Sequence, residues 1–197
     1  MSDVAPVSVD QLPAHVLEVW HRSREIHSPT VVEAAITRMA VAIHADMSAH
    51  NPLLLSVLVG ALVPTAMLLP KLDFPLQIDC VHATRYRGDT RGGELQWRSY
   101  PSHPLQGRHV LLVDDILDEG LTLAALLGWC REQGAASVRV AVLAEKRHDR
   151  NHTGISADYV GLEVPDVYVF GSGMDYQDYL RNVPGIRAVC DDHRQEG

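Results

Sequence analysis

The apolar positions of this chain follow two rhythms. Val32, Ile36, Met39 and Ile43 recur at three- and four-residue intervals and fall on one helical face. Leu53 to Val59 and Val110 to Val113 are unbroken or nearly unbroken apolar runs, the pattern of strands buried on both faces. From these rhythms an order of elements follows. Val9 to Arg24 reads as a short amphipathic helix that covers another part of the molecule. Ser28-Pro29-Thr30 opens a second helix, with proline in the first turn and Glu33 at capping-box spacing from Thr30, running to about Ala49. A strand over Leu53 to Val59 and a helix over Ala61 to Leu69, with a proline early in it, come next.

The second half continues in the same way. Leu76 to Tyr86 predicts a longer strand, Arg87 to Gly93 a glycine-rich loop, Glu94 to Tyr100 an alternating strand, and Pro101 to Gly107 a turn. The strand at Val110 leads to a helix from Gly120 to Gln133, stopped by Gly134, and then to a strand from Val138 to Ala144. Lys146 to Gly154 is polar and irregular. Short strands are expected near Tyr159-Val160 and over Val167 to Phe170. Strands alternating with helices predict an α/β fold with a doubly wound, mostly parallel sheet, as one domain over residues 1–197 without repeats.

Composition narrows the setting. A chain of 197 residues with 46% hydrophobic content buries a sizeable core. The longest apolar stretch, Leu53 to Leu69, is interrupted by Gly60 and Pro64 and is not expected to span a membrane. Met1 to Asp10 carries acids without a basic start, which argues against a signal peptide. Cys80, Cys130 and Cys190 lack metal-site spacing, and their odd number points to reduced thiols and a cytoplasmic protein. A net charge of −8 argues against nucleic acid as a partner, although local N–H groups and a cation still allow an anionic small molecule.

The chemistry concentrates in Val110-Leu111-Leu112-Val113-Asp114-Asp115-Ile116-Leu117-Asp118-Glu119-Gly120-Leu121-Thr122-Leu123. A buried strand runs into three aspartates within five positions, then into a glycine and a helix start. The first N–H groups of that helix have no intrahelical partner, and the helix dipole adds about half a positive charge there. Gly120 permits a tight turn and close backbone approach. Thr122 has a hydroxyl for a phosphate oxygen. Asp114 and Asp115 sit where carboxylates accept from the two vicinal hydroxyls of a ribose. These are the parts of a phosphate and polyol site at the carboxyl end of a parallel strand. A response-regulator acidic pair is the competing reading; its pair lies near the N-terminus and needs a phosphoacceptor aspartate at the next strand end, and Ser137 to Glu145 has none.

The run resembles the ribose-phosphate motif of the type I phosphoribosyltransferases. Glu145-Lys146-Arg147, the segment Asp158-Tyr159-Val160-Gly161-Leu162-Glu163-Val164-Pro165-Asp166, and Tyr168-Val169-Phe170-Gly171 leading to Met174-Asp175-Tyr176 and Arg181 narrow it to the 6-oxopurine branch, the hypoxanthine-guanine phosphoribosyltransferases. The likeness runs from about Thr30 to Val189. It implies a central sheet flanked by helices with a small hood, and the transfer of a 5-phosphoribosyl group from 5-phosphoribosyl 1-diphosphate to a purine base, giving a nucleoside monophosphate and pyrophosphate.

By that resemblance Asp118 is the general base near N7 of the purine. Asp118, Glu119, Gly120, Leu121 and Thr122 cradle the 5′-phosphate, while Asp114 and Asp115 hold the ribose hydroxyls, directly or through metal-bound water. Mg²⁺ is the implied cofactor, and Asp175 binds a second Mg²⁺. Lys146 donates to O6 of the base; a lysine cannot accept from an exocyclic amine, so 6-oxopurines are favoured over adenine. Tyr168 stacks on the ring and Val169 offers its backbone. Val59-Gly60 and Arg181 hold pyrophosphate. Thr84, Arg85 and Tyr86 lead into a mobile loop that closes over the sugar and excludes water. A homodimer or homotetramer is the implied assembly.

Three positions depart from the family pattern. Val59 stands in place of a common lysine in the pyrophosphate loop, where a cis peptide is expected at Val59-Gly60. Leu121 replaces a common lysine or arginine, and Glu119 a small or hydroxyl residue. These departures keep open a phosphoribosyl-diphosphate sensor or a weakly active enzyme, and a pyrimidine- or xanthine-preferring transferase is a further alternative. His148 and His152 have zinc-like spacing, but on a segment that reads as a loop. His82, His103 and His109 are expected to be satisfied by local hydrogen bonds, and Trp97 to be packing.

Overall fold

The structure is a computed structural model that describes residues 13–85, 95–148, 150 and 153–190. Its centre is a six-stranded sheet. The strands are β2 (Leu53–Val57), β3 (Gln77–Arg85), β4 (Leu95–Ser99), β5 (His109–Leu117), β6 (Ser137–Lys146) and β7 (Tyr159–Val164), in the spatial order β4-β3-β2-β5-β6-β7. All neighbours are parallel except β4, which pairs antiparallel with β3. The expected doubly wound, mostly parallel sheet is therefore present, with one antiparallel edge.

Side-chain alternation along the strands divides the core in two. Leu54, Leu111, Val113, Ala141 and Leu143 face helices α2 (Pro29–Met47) and α3 (Leu62–Leu68). Leu53, Leu55, Val110, Leu112, Val140 and Val142 face α4 (Leu121–Glu132), which supplies Leu123, Leu126, Leu127 and Cys130. With both faces covered, every residue of β2 is buried, which is why its sequence shows no alternation.

Several local expectations shift. Helix α2 begins at Pro29, with Ser28 rather than Thr30 as its cap; Ser28 Oγ accepts from Val31 N at 3.4 Å. The fixed φ of Pro29 suits the first helical position, so the helix starts ahead of the Thr30 box. Glu33 is left free to pair with Lys71 at 2.5 Å. Strand β5 does not stop at Val113. It continues through Leu117, with Asp114 opposite Val142 and Ile116 opposite Ala144 of β6, so the first two aspartates are strand residues. Strand β6 likewise extends to Lys146, which pairs with Val164, and that lysine is a strand end rather than part of an irregular segment.

A second, three-stranded sheet forms the small hood. Strand β1 (Arg24–His27) pairs antiparallel with β9 (Ile186–Ala188), which pairs antiparallel with β8 (Val169–Phe170). Neither β1 nor β9 was expected from the sequence. They are four and three residues long and lie about 160 positions apart, so no local period marks them. Helix α1 (Ala14–Arg22), the described part of the expected Val9–Arg24 helix, packs Val16 and Val19 against Phe170, Tyr176, Leu180, Val183 and Val189. The glycine-rich loop over 87–93 and Tyr86 lie outside the described residues, as do Asp149 and His152. The three cysteines are free thiols, and burial pushes Cys130 up to about 12. No helix among the described residues is long and apolar enough to cross a membrane.

Candidate active site

A cavity of about 890 Å³ opens at the carboxyl ends of β2, β3 and β5. Three loops line it: Leu58 to Gly60 after β2, Asp118 to Leu123 after β5, and a stretch of the hood carrying Asp175, Asp178 and Arg181. Ligands of open α/β sheets bind at this end, where strand order reverses; here β2 lies between β3 and β5.

The β5 loop is built as a cradle. Gly120 takes φ +77° and caps α4, a conformation that disfavours a side chain. Glu119 to Thr122 all line the cavity, so the first N–H groups of α4 face into it. Beside the cradle, Asp114 Oδ1 accepts from Asp115 N at 2.9 Å and Asp115 Oδ1 from Ile116 N at 2.8 Å. Burial, together with the neighbouring Asp115 carboxylate, holds the Asp114 carboxyl well above its usual range. Burial also raises Asp115, against the hydrogen bonds it accepts and the charge of Arg181. These hard oxygen donors lack a full complement of positive charge, and they suit a hard cation that keeps most of its ligands from substrate and water.

The loop after β2 is fitted to the same carboxylates. Leu58 N–H still donates to Val81 O at 2.8 Å, so the chain leaves the sheet at the next bond. The cis peptide accordingly falls at Leu58-Val59, one bond before the expected Val59-Gly60. A Cβ on Gly60 would lie 2.1 Å from Asp115 Oδ2, and one on Gly173 would lie 2.2 Å from Gly60 O. The strand tip, the β2 loop and the hood thus touch through two positions that tolerate only hydrogen. Arg181 crosses the contact: it donates to Gly173 O at 2.9 Å and pairs with Asp175 at 2.8 Å and Asp115 at 4.0 Å.

Asp118 stands at the rim and is held from two sides. Lys146 Nζ donates to its Oδ2 at 2.6 Å, and His148 Nε2 hydrogen-bonds its Oδ1. Partial burial works to raise the Asp118 carboxyl, but the hydrogen bonds from Lys146 and His148, with the charge of Lys146, outweigh it and lower its pKa.

The expected site residues divide accordingly. Asp114, Asp115, Asp118, Glu119, Gly120, Leu121, Thr122, Val59, Gly60, Asp175 and Arg181 converge on the one cavity. Lys146 reaches it through Asp118. Tyr168 and Val169 are not in its described lining: Tyr168 is exposed and meets Tyr176 edge-on at 5.6 Å, while Val169 is buried in β8. Thr84 and Arg85 end β3 at the cavity side of the sheet. His103 and His109 are hydrogen-bonded as expected, but to partners distant in the chain, Asp79 and Ser137, at 2.8 Å each. Trp97 packs with Trp129, as expected, and also stacks on Tyr100.

Three residues given no site role from the sequence also reach the site: Arg98, which was not singled out, His82, expected only to be satisfied by local hydrogen bonds, and His148, noted only for its spacing from His152. His82 and Arg98 line the cavity from β3 and β4, next to the loop where Val59 leaves no charge. An irregular register between His82 and Ala83 puts Arg98 there, and nothing in the sequence signals that shift. His148 is the third; its polar-loop setting concealed a side chain only 4% exposed.

These features define an α/β protein whose cavity sets a strand-tip acidic pair beside a glycine-capped helix start. A phosphoribosyl transferase domain model matches residues 23–178, and the chain belongs to the phosphoribosyltransferase family. Its relatives narrow the branch. The hypoxanthine-guanine phosphoribosyltransferase of Streptococcus pneumoniae is 34% identical over 157 residues, covering 79% of this chain and 86% of the relative. The hypoxanthine-guanine-xanthine phosphoribosyltransferase of Tritrichomonas foetus is 31% identical over 163 residues, with coverages of 83% and 89%. Among solved structures, a Trypanosoma cruzi hypoxanthine phosphoribosyl transferase superposes with a TM-score of 0.78 at 27% identity, covering 86% of this chain and 92% of the other.

Proposed function

We propose that this chain is a purine-salvage enzyme that transfers the 5-phosphoribosyl group from 5-phosphoribosyl 1-diphosphate to hypoxanthine or guanine. The products are IMP or GMP and pyrophosphate. One observation supports this reading: Asp118, which follows the acidic pair of β5 and leads into the start of α4, accepts from Lys146 at the end of the neighbouring β6.

The residues divide the work as follows. The N–H groups and hydroxyl of Gly120 to Thr122 bind the 5′-phosphate. Asp114 and Asp115 accept from the ribose hydroxyls, directly or through water on the metal. Arg181, with the backbone at Val59-Gly60 and the exposed guanidinium of Arg98, faces the diphosphate. As N9 of the base bonds to C1′ and the C1′–oxygen bond to pyrophosphate breaks, Asp118 takes the proton released at N7. Lys146 donates to O6 of the base, and Tyr168 and Val169 supply the ring contact and backbone contact from the hood. Asp114, Asp115 and Asp175 are the residues that would hold Mg²⁺. Held there, Mg²⁺ would supply positive charge to offset that of the leaving pyrophosphate. Thr84, Arg85 and Tyr86 begin the loop that shields the reacting carbon from water. We read the enzyme as a cytoplasmic homodimer or homotetramer.

The test is a spectrophotometric assay with phosphoribosyl diphosphate and Mg²⁺ on hypoxanthine, guanine, xanthine, adenine and uracil, beside Asp118→Asn. Turnover confined to 6-oxopurines is expected, with Asp118→Asn slower by about 10²–10⁴-fold. Turnover on adenine or uracil alone would overturn the base assignment. An unchanged Asp118→Asn rate would remove that residue from proton transfer.

A further inference from the structure

Two residues that follow β6, His148 and Arg150, lie against Asp118. They form a connected chain of hydrogen bonds. Arg150 forks onto Asp166, at 2.6 and 2.7 Å, and this two-point contact holds Arg150 in place. The backbone N–H of Arg150 then donates to His148 Nδ1 at 2.9 Å. A nitrogen that accepts a hydrogen bond carries no proton, so the proton of a neutral ring must sit on Nε2. Nε2 is the atom that meets Asp118 Oδ1. The His148 side chain is 4% exposed, so water does not compete for either ring nitrogen.

We infer that His148 is a positioning residue for the reaction: its Nε2–H, held in that tautomer by the Arg150 N–H, orients the Asp118 carboxylate toward the base. The inference rests on the reading of Asp118 as the general base. Asp118 has two donors in the free protein, Lys146 and His148, and the two have different fates. Lys146 is a flexible cation that turns to O6 when a 6-oxopurine enters. His148 has no reason to move, because its other nitrogen is tied to the backbone. It therefore keeps one carboxylate oxygen fixed while the other is released to face the purine. The same arrangement keeps Asp118 ionised before substrate binds. Other charges face the pair: Arg150 lies 3.9 Å from Asp118, while Asp166 and Glu119 are acidic neighbours on the adjoining loops.

The test uses the full chain and its His148→Ala, His148→Gln and Asp118→Asn variants, assayed across pH with Mg²⁺, phosphoribosyl diphosphate and hypoxanthine. His148→Ala is expected to lower kcat by about 10²-fold through misorientation of the base, with KM for the sugar diphosphate unchanged. The acid limb of its pH profile moves to higher pH, because a donor to the carboxylate is gone. His148→Gln, whose amide N–H replaces the ring Nε2–H, recovers most of the loss. If His148→Ala matches the parent while Asp118→Asn is impaired, the positioning role is overturned and the general base stands. If Asp118→Asn is itself unimpaired, the reading of Asp118 as the general base fails, and this inference with it, while turnover on 6-oxopurines still tests the transferase reading separately. A second measurement needs no activity. Long-range ¹⁵N–¹H spectra of ring-labelled parent protein, assigned by difference against His148→Gln, are expected to show the Nε2–H tautomer at neutral pH. The Nδ1–H tautomer would overturn the assignment, including where His148→Ala fails to fold.

Discussion

Asp114 illustrates how a single residue trades stability for function here. Its carboxyl is half-buried beside Asp115 and held well above its ordinary value of 3.8. A group whose native pKa is raised binds more protons folded than unfolded. Its contribution is therefore most favourable below the unfolded value and is lost as pH rises through the window above it. At neutral pH in the free protein, the half-buried charge is a net cost. Asp114→Asn keeps an oxygen to accept from Asp115 N while removing the charge. It is expected to stabilise the metal-free protein at pH 7.5 by about 1 kcal/mol, with the gain vanishing near pH 4, and to lose most turnover. Melting curves in chelator at both pH values check this; a loss of stability at pH 7.5 would mean that the carboxylate is already compensated. The acidic strand tip was also the most legible part of the sequence, because every residue of it lies within fifteen consecutive positions. His148, His82 and Arg98 were not legible. Their roles depend on contacts between residues distant in the chain and on a register shift between two strands, and neither leaves a trace in local periodicity.

At the scale of elements, the site is a junction of three loops held by absent side chains. Gly60 lies against Asp115, and Gly173 lies against the carbonyl of Gly60. Gly60→Ala would put a methyl group 2.1 Å from Asp115 Oδ2, so the carboxylate or the loop must move. Because Asp115 is the partner that yields, turnover should fall by about 10²-fold, the loss expected for misplacing a reacting group by about 1 Å. Stability should fall as well, since the displaced Asp115 carboxylate accepts from Ile116 N. Steady-state kinetics beside a denaturation curve separate the two effects, and full activity would show that the loop shifts without disturbing Asp115. The sequence showed that a strand ends and a helix begins near Gly60. Which peptide is cis, and which carboxylate the glycine touches, are set by where β2 stops pairing with β3. Element ends are fixed by tertiary contacts such as Leu58 N–H to Val81 O, and apolar pattern alone places them only to within a residue or two.

At the scale of the molecule, the hood is where distant parts of the chain meet. Strand β1 precedes the central sheet, β8 and β9 follow it, and α1 seals their outer side; Phe170, fully buried, is common to the hood sheet and the α1 core. Arg187 of β9 ties the assembly further, donating to the hydroxyl and carbonyl of Ser23 at 2.8 Å each. Tyr168 and Val169, assigned to the base, immediately precede Phe170, whereas the sugar and phosphate groups are assigned to the central sheet. Weakening the hood core should therefore separate the two substrates. Phe170→Ala removes a large side chain from a closed cluster and is expected to cost about 3–5 kcal/mol. In the fraction that remains folded at low temperature, KM for hypoxanthine should rise more than KM for phosphoribosyl diphosphate. Equal increases in both would mean that the hood supports the whole cavity rather than the base alone, and would move the base contacts away from Tyr168 and Val169.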